Sequence, residues 1–321
     1  MTQDNTAPES LCEAILYFAD ADKALTFMVE MRWPAGVVCP HCAAEKPMFL
    51  KTRRIWKCRD CRKQFSVKVG TVFEDSPLGL DKWLPALWML ANCRNGISSY
   101  ELARHLEVTQ KTGWFMLGRI RAAMKTKSFK KLGGVVEIDE TFVGGLAKNM
   151  HRGKRAKIVK GRGAHAMTGV VGMIERGQDG KKRVEADVMR WVAGMPMHRA
   201  VAKTAEPDAT VYTDESRVYS DGVLQGRVHA TVDHRAHEYV RGQVHTNSVE
   251  NFWSLLKRAI KGTYVSVDPF HLHRYVGEQV FRYNVQGMSE KGRFMQVVRD
   301  IVGRRLTYAK LIGAGMNPAT T

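Results

Sequence analysis

Apolar positions change their period several times along this chain, and the changes divide it. Leu11, Ile15, Phe18, Leu25 and Met28 recur at near-helical spacing, which predicts one helix over 10–31, ended by Trp33-Pro34. Residues 63 to 73 read as short strands that finish in the apolar pair Val72-Phe73. From Asp81 to about Met124 the period is helical again. Trp83, Leu84, Leu87 and Leu90 form one stripe, and Asn95-Gly96 breaks it. A short helix then spans Ser98 to Leu106, with serine caps and Glu101 at a capping-box position. The turn Glu107-Val-Thr109 leads into a second helix, Gln110 to Arg121. Two helices joined by three residues fit either a helix-turn-helix or an ordinary helical hairpin. In the first case Thr109, Gln110, Lys111 and Thr112 open the recognition helix, with side chains suited to base edges and phosphates.

Gly133-Gly134 marks a boundary beyond which strand patterns take over. Strands are predicted at 135–143, 167–174, 183–191, 209–213 and 228–232, with a helix near 197–204 and further helices from 248 and from 270 to 283. Three strands followed by alternating helix and strand predict an α/β layered domain with a mixed sheet. The helix from 248 carries two unlike faces. Val249, Trp253, Leu256 and Ile260 make a buried stripe. Beside it run Glu250, Ser254, Lys257 and Lys261, and almost two full turns separate Glu250 from Lys257, so the two point the same way.

Charge narrows the class of partner. Fifty Lys plus Arg against 32 Asp plus Glu give a net charge of +18 in 321 residues. Such a field favours a polyanion, most often nucleic acid. Apolar runs fall well short of the roughly 18 residues a membrane span needs, and MTQDNTAPES lacks the regions of a signal peptide. A soluble cytoplasmic protein, nucleoid-associated and without a membrane partner, is the expectation. Between Glu140 and Glu175 no acidic residue occurs, while Lys or Arg stands at 148, 152, 154, 155, 157, 160 and 162. This predicts a basic loop between two strands, in which Lys154, Arg155 and Lys157 grip phosphates, or else a plain solvated excursion.

Two constellations carry chemistry. Cys39-Pro-His-Cys42 and Cys58-Arg-Asp-Cys61, 15 residues apart, have the spacing of a zinc ribbon: two tight turns place four thiolates around one ion. Disulfides or a redox pair are the alternatives. Cys12 and Cys93 stand alone and are expected as buried apolar residues. Among the carboxylates, Asp139 and Glu140 fall late in the first strand, Asp214 and Glu215 follow the fourth, and Glu250 lies on the helix. Brought together they repel one another unless cations bind, which suits Mg²⁺. Each also has a plainer reading: a hydrogen-bonded strand residue, a cap on a helix near Ser216, or a capping box with Asn247 as N-cap and Glu250 reaching back. Spacing does not choose Asp139 over Glu140, Asp214 over Glu215, or Glu250 over Asn247.

Several motifs in one order resemble the DDE transposases of bacterial insertion sequences, in the ISXO-type group with an N-terminal zinc ribbon. They are Arg32-Trp-Pro with Cys-Pro-His-Cys42, Val136-Glu-Ile-Asp-Glu-Thr-Phe-Val-Gly-Gly145, Tyr212-Thr-Asp-Glu215, His245-Thr-Asn-Ser-Val-Glu250, Phe252-Trp-Ser-Leu-Leu-Lys-Arg258 and Phe281-Arg-Tyr-Asn284. The resemblance implies an N-terminal helical segment (1–36), a zinc ribbon (37–75), a helix-turn-helix (80–126), a ribonuclease H-like mixed-sheet catalytic domain (133–290) and a C-terminal tail (291–321). It implies that Asp139, Asp214 and Glu250 are the catalytic set holding Mg²⁺ or Mn²⁺, and that Lys257 and Arg258 contact the DNA end. It implies structural Zn²⁺ on the four cysteines and a homo-oligomer on DNA. The reaction implied is cleavage at the terminal inverted repeats and joining to target DNA. Two rivals remain at this level: a non-catalytic DNA-binding regulator, and a ribonuclease H-type nuclease that cuts without joining.

Overall fold

The computed structural model describes residues 7–125, 130–145, 151–153, 156, 167–177, 180–189, 192, 194–214, 218–219, 221–232 and 240–314. The chain divides into two compact units, Met1–Met124 with Gly287–Thr321, and Lys125–Gln286.

The first unit begins with two helices where one was expected, α1 (Leu11–Ala19) and α2 (Ala21–Arg32). Asp20 separates them. Its backbone is extended, and its Oδ1 accepts from the amides of Asp22 (2.8 Å) and Lys23 (3.1 Å), capping α2. A three-stranded antiparallel sheet follows: β1 (Met48–Leu50), β2 (Ile55–Lys57) and β3 (Gln64–Phe65). Trp33, Trp56 and Phe65 pack over it with ring centroids 5.7 to 6.2 Å apart. The strands expected through residue 73 stop at Phe65; beyond it, amides at Val69, Thr71 and Glu74 close successive tight turns. Helices α3 (Leu80–Asn92), α4 (Ser99–Leu106) and α5 (Gln110–Met124) complete the N-terminal part. Gly113 lets α5 approach α4 closely, since a Cβ there would lie 2.9 Å from the Ser99 carbonyl oxygen.

Residues 291–321, expected as a tail, begin instead as part of this unit's core. In α10 (Glu290–Asp300) the residues Phe294, Met295, Val297 and Val298 are buried. The Phe294 ring lies 4.8 Å from Trp88, 5.8 Å from Phe18 and 5.9 Å from Phe27. A short α11 (Tyr308–Ile312) follows.

The second unit is built on a five-stranded sheet in the order β6-β5-β4-β7-β8. Strands β4 (Val135–Val143), β5 (Thr168–Arg176) and β6 (Lys182–Met189) form an antiparallel meander; β7 (Thr210–Asp214) and β8 (His229–Val232) run parallel to β4. Period-two alternation assigns β4 side chains to opposite faces. Val136 and Ile138 join Val171, Met173 and Val211 against α6 (Gly194–Thr204) and α7 (Asp221–Leu224). On the other face Val170, Ile174 and Val184 meet α8 (Asn247–Ala259) and α9 (Leu272–Asn284). The stripe Val249, Trp253, Leu256 and Ile260 is buried there as its spacing predicts. Three antiparallel strands extended by two parallel ones, with helices on both faces, make this a ribonuclease H-like α/β fold. Among the described residues no helix is long and apolar enough to cross a membrane.

Candidate active site and metal centres

The four cysteines of the ribbon converge. Their sulfurs lie within 4.8 Å of one another, with Cys39 to Cys61 at 3.7 Å and Cys42 to Cys58 at 3.6 Å. Four thiolates about 2.3 Å from a tetrahedral ion have sulfurs roughly 3.8 Å apart, so the set fits Zn²⁺. Local backbone geometry explains the fit. In each pair the first cysteine's amide donates to a carbonyl five residues on, Cys39 to Ala44 (2.8 Å) and Cys58 to Lys63 (2.9 Å). In each, the residue after the second cysteine (Ala43, Arg62) is left-handed at φ 60. All four are free thiols, which removes the disulfide alternative. Cys12 and Cys93 depart from expectation: the first is exposed and the second half-exposed, because neither falls on the buried stripe of its segment.

At the α4–α5 corner, Ser98 Oγ accepts from the Glu101 amide at 3.1 Å and Thr109 Oγ1 from the Thr112 amide at 3.2 Å. Thr109, Gln110 and Lys111 are exposed at the start of α5. Two of the three also brace the corner: Gln110 Nε2 donates to Ser99 Oγ at 2.8 Å, and the Lys111 ammonium lies 5.4 Å from the Tyr308 ring centroid. Lys154, Arg155 and Lys157 lie outside the described residues, as does Glu215.

The carboxylates gather where β4 and β7 run side by side. Their parallel register pairs Glu137 with Tyr212, and two residues further along both strands come Asp139 and Asp214. Carboxylate oxygens of Asp139, Glu140 and Asp214 lie within 4.8 Å of one another, all on half-buried residues. Burial, and then the charge of Glu140, push the Asp139 carboxyl up to about 7. Burial likewise raises Glu140, whose carboxylate accepts from the hydroxyl of Tyr219. Tyr219 is raised well above its ordinary value by burial and by Glu140, so it stays a donor. Three acids in one half-buried corner, two of them already reluctant to ionise, make a cation-seeking set suited to Mg²⁺.

Glu250 does not join that cluster. It is exposed in the first turn of α8, and its Oε1 accepts from Thr246 Oγ1 at 3.1 Å. The N-cap lies one residue before Asn247: Thr246 holds that position without a side-chain cap bond, and Asn247 is the first helical residue, exposed. The box does not form because a different group serves the helix end. Glu137, fully buried on β4, accepts from the amides of Ser248 (2.8 Å) and Val249 (3.1 Å) through Oε2. Its Oε1 accepts from Arg176 Nε at 2.5 Å, and Arg176 also donates to the carbonyls of Gln243 and His245, each at 2.7 Å. Further along α8, the face expected beside the buried stripe is exposed at Ser254, Lys257 and Lys261, and Arg258 is exposed too.

Three members of this neighbourhood are absent from the candidate site residues that the sequence marks. Glu137 shares the Asp139 face of β4 by simple alternation, a signal available from period two. Trp253 was read as core alone, yet its Nε1 donates to Asp139 Oδ2 at 2.9 Å. Tyr219 stands outside every regular element and left no pattern to find.

Comparison with known proteins agrees with this architecture. Residues 131–284 match the family model of the ISXO2-like transposase domain, and residues 19–64 match that of a transposase zinc-ribbon domain. The chain is 29% identical over 251 residues to an uncharacterized protein in transposable element ISH50 of Halobacterium salinarum, covering 75% of this chain and 83% of that one. No solved structure matches the chain. With the mixed sheet, the cysteine ribbon and both family matches in place, the chain belongs to the ISXO2-like insertion-sequence transposases that carry an N-terminal zinc ribbon.

Proposed function

We propose that this transposase cuts DNA at the ends of its element and joins the freed 3′ ends to target DNA, through a site formed by Asp139, Asp214 and Glu250. The convergence of Asp139 and Asp214 across the parallel β4–β7 pair carries this reading. These two carboxylates hold Mg²⁺ or Mn²⁺; bound there, the divalent ions supply activation of the attacking oxygen and stabilisation of the leaving one. Phosphodiester transfer asks the protein mainly for positioning and charge, and the residues divide that work. Glu250, whose Oε1 accepts from Thr246 Oγ1, turns to complete the set when DNA and metal arrive. Its place one turn before Trp253, which touches Asp139, supports that assignment over Asn247. Glu140 is the resting neighbour of the two aspartates, kept in place by Tyr219.

Lys257 and Arg258, two turns beyond Glu250 on α8, contact the phosphates of the DNA end. The ribbon and the α4–α5 corner bind the terminal inverted repeats, with Thr109, Gln110 and Lys111 at the groove, and Lys154, Arg155 and Lys157 add grip from the basic loop. A homo-oligomer assembles on the paired ends. The test is one reaction: labelled end-containing DNA, target DNA and Mg²⁺, scored for nicked and for joined products. Wild type is expected to give both, and Asp139→Asn neither, with end binding retained in a gel shift. Cleavage by Asp139→Asn would remove that residue from the chemistry; nicking without joining would make the protein a nuclease.

A further inference from the structure

Helix α8 is fastened to β4 at two points on one face. The first is Glu137, which receives the amides of Ser248 and Val249. The second is Asp139, which receives the indole N–H of Trp253 at 2.9 Å. Trp253 is only 4% exposed, and the sheet is cut to fit it. Gly172 is the β5 residue paired with Asp139 across the antiparallel ladder. A Cβ at Gly172 would lie 2.6 and 2.7 Å from Cη2 and Cζ2 of the indole, and 3.3 Å from Val249 Cγ2. Gly172 lies in the middle of β5, where glycine ordinarily weakens a strand and marks a close approach by another group. Here the approaching group is the ring that reaches Asp139.

We infer that Trp253 is a positioning residue for Asp139, with Gly172 as the gap that admits it. The inference rests on the reading of Asp139 as a ligand of the catalytic cation, and it adds how that carboxylate is aimed. A hydrogen bond to Oδ2 fixes the rotation of the Asp139 carboxylate and leaves Oδ1 and the remaining lone pairs for the cation. Ligand-orienting donors of this kind are worth roughly 10- to 100-fold in metal affinity or activity when removed. The same bond ties Asp139 to the helix that carries Glu250, so the Glu250 side chain turns toward the set from a backbone already fastened to Asp139.

The test is spectroscopic first. In ¹H–¹⁵N spectra of the full-length protein, Trp253→Phe identifies the Trp253 indole N–H by its disappearance. In wild-type Trp253 context, Asp139→Asn is expected to move that resonance more than any other indole signal, and substoichiometric Mn²⁺ is expected to broaden it first. In the cleavage assay, Trp253→Phe and Gly172→Ala are each expected to raise the Mn²⁺ concentration for half-maximal rate roughly 10- to 100-fold, with affinity for end DNA unchanged. An indole resonance indifferent to Asp139→Asn would overturn the inference, and so would a folded Trp253→Phe protein with wild-type metal dependence. Should Asp139→Asn itself cleave, the ligand reading fails instead, so the two failures are distinguishable.

Discussion

The two candidate metal centres are built in opposite ways. The cysteine site draws four ligands from two nearly identical turns, each closed by its own backbone hydrogen bonds, and the sulfurs already stand at tetrahedral spacing. The carboxylate site draws its members from β4, the end of β7 and, in the proposed complex, α8. Two of its carboxylates accept from neutral donors, the Trp253 indole and the Tyr219 phenol. A structural site is complete before function begins. The carboxylate site keeps a penalty of burial and mutual charge, visible in the raised Asp139 carboxyl, that a bound cation can relieve.

That contrast can be broken most violently at the ribbon. Replacing Cys58 with Ser, or removing the metal with a strong chelator, is expected to unfold the ribbon, since structural zinc contributes about 10 kcal/mol or more to such modules. Zinc content measured per chain should fall from one to none, and the ribbon's circular dichroism and end binding should go with it. Asp214→Asn comes next. Loss of several kcal/mol of charge stabilisation corresponds to a cleavage rate lower by roughly 10³-fold or more, with zinc content and end binding untouched. If both variants lost zinc, the two centres would not be separable as described.

Glu137→Gln probes the scaffold that fastens α8 to β4 beside the carboxylate site. It leaves the Arg176 guanidinium in a mostly buried place without its carboxylate, at a cost of about 3 kcal/mol in unfolding experiments. The smallest effect concerns pH. Asp139 has a raised value in the folded chain, so between about 4 and about 7 the folded state holds a proton that the unfolded state has released. Stability of magnesium-free protein should therefore decline as pH rises through that window. Thermal scans from pH 4.5 to 8 should show the decline in wild type, less of it with Mg²⁺ added, and a flatter profile in Asp139→Asn. Equal slopes in wild type and Asp139→Asn would place the proton elsewhere.

Legibility in the sequence followed the distance over which each feature is specified. CxxC pairs and the 249–253–256–260 stripe are local periodicities, and each predicts a placement that the fold realises. Strand alternation in Val135–Val143 is also local, so the sheet was readable. The choice between Asp139 and Glu140 was not, because adjacent residues on a strand point to opposite faces and only the neighbouring helices say which face matters. Here Trp253 takes one and Tyr219 the other. The capping-box alternative for α8 fails for a similar reason. Asn247 and Glu250 have the right spacing for a box, but the amides are taken by Glu137, 111 residues away from Ser248. The tail assignment from residue 291 onward comes from the resemblance, which carries no packing information; the ring of Phe294 has its partners far away in sequence, at Phe18, Phe27 and Trp88.

Phe294 also sets a timetable. A ribosome adds roughly 5–20 residues each second, so the roughly 200 residues between Trp88 and Phe294 occupy about 10 to 40 s of synthesis. Throughout that interval the aromatic centre of the N-terminal unit lacks the ring that fills it, while the whole ribonuclease H-like unit is being synthesised. Any product cut short before residue 294 exposes Phe18, Phe27 and Trp88 to water, the kind of surface that quality-control proteases and chaperones bind. Completing the core of the N-terminal unit is thus coupled to synthesis of a residue roughly 200 positions further along the chain.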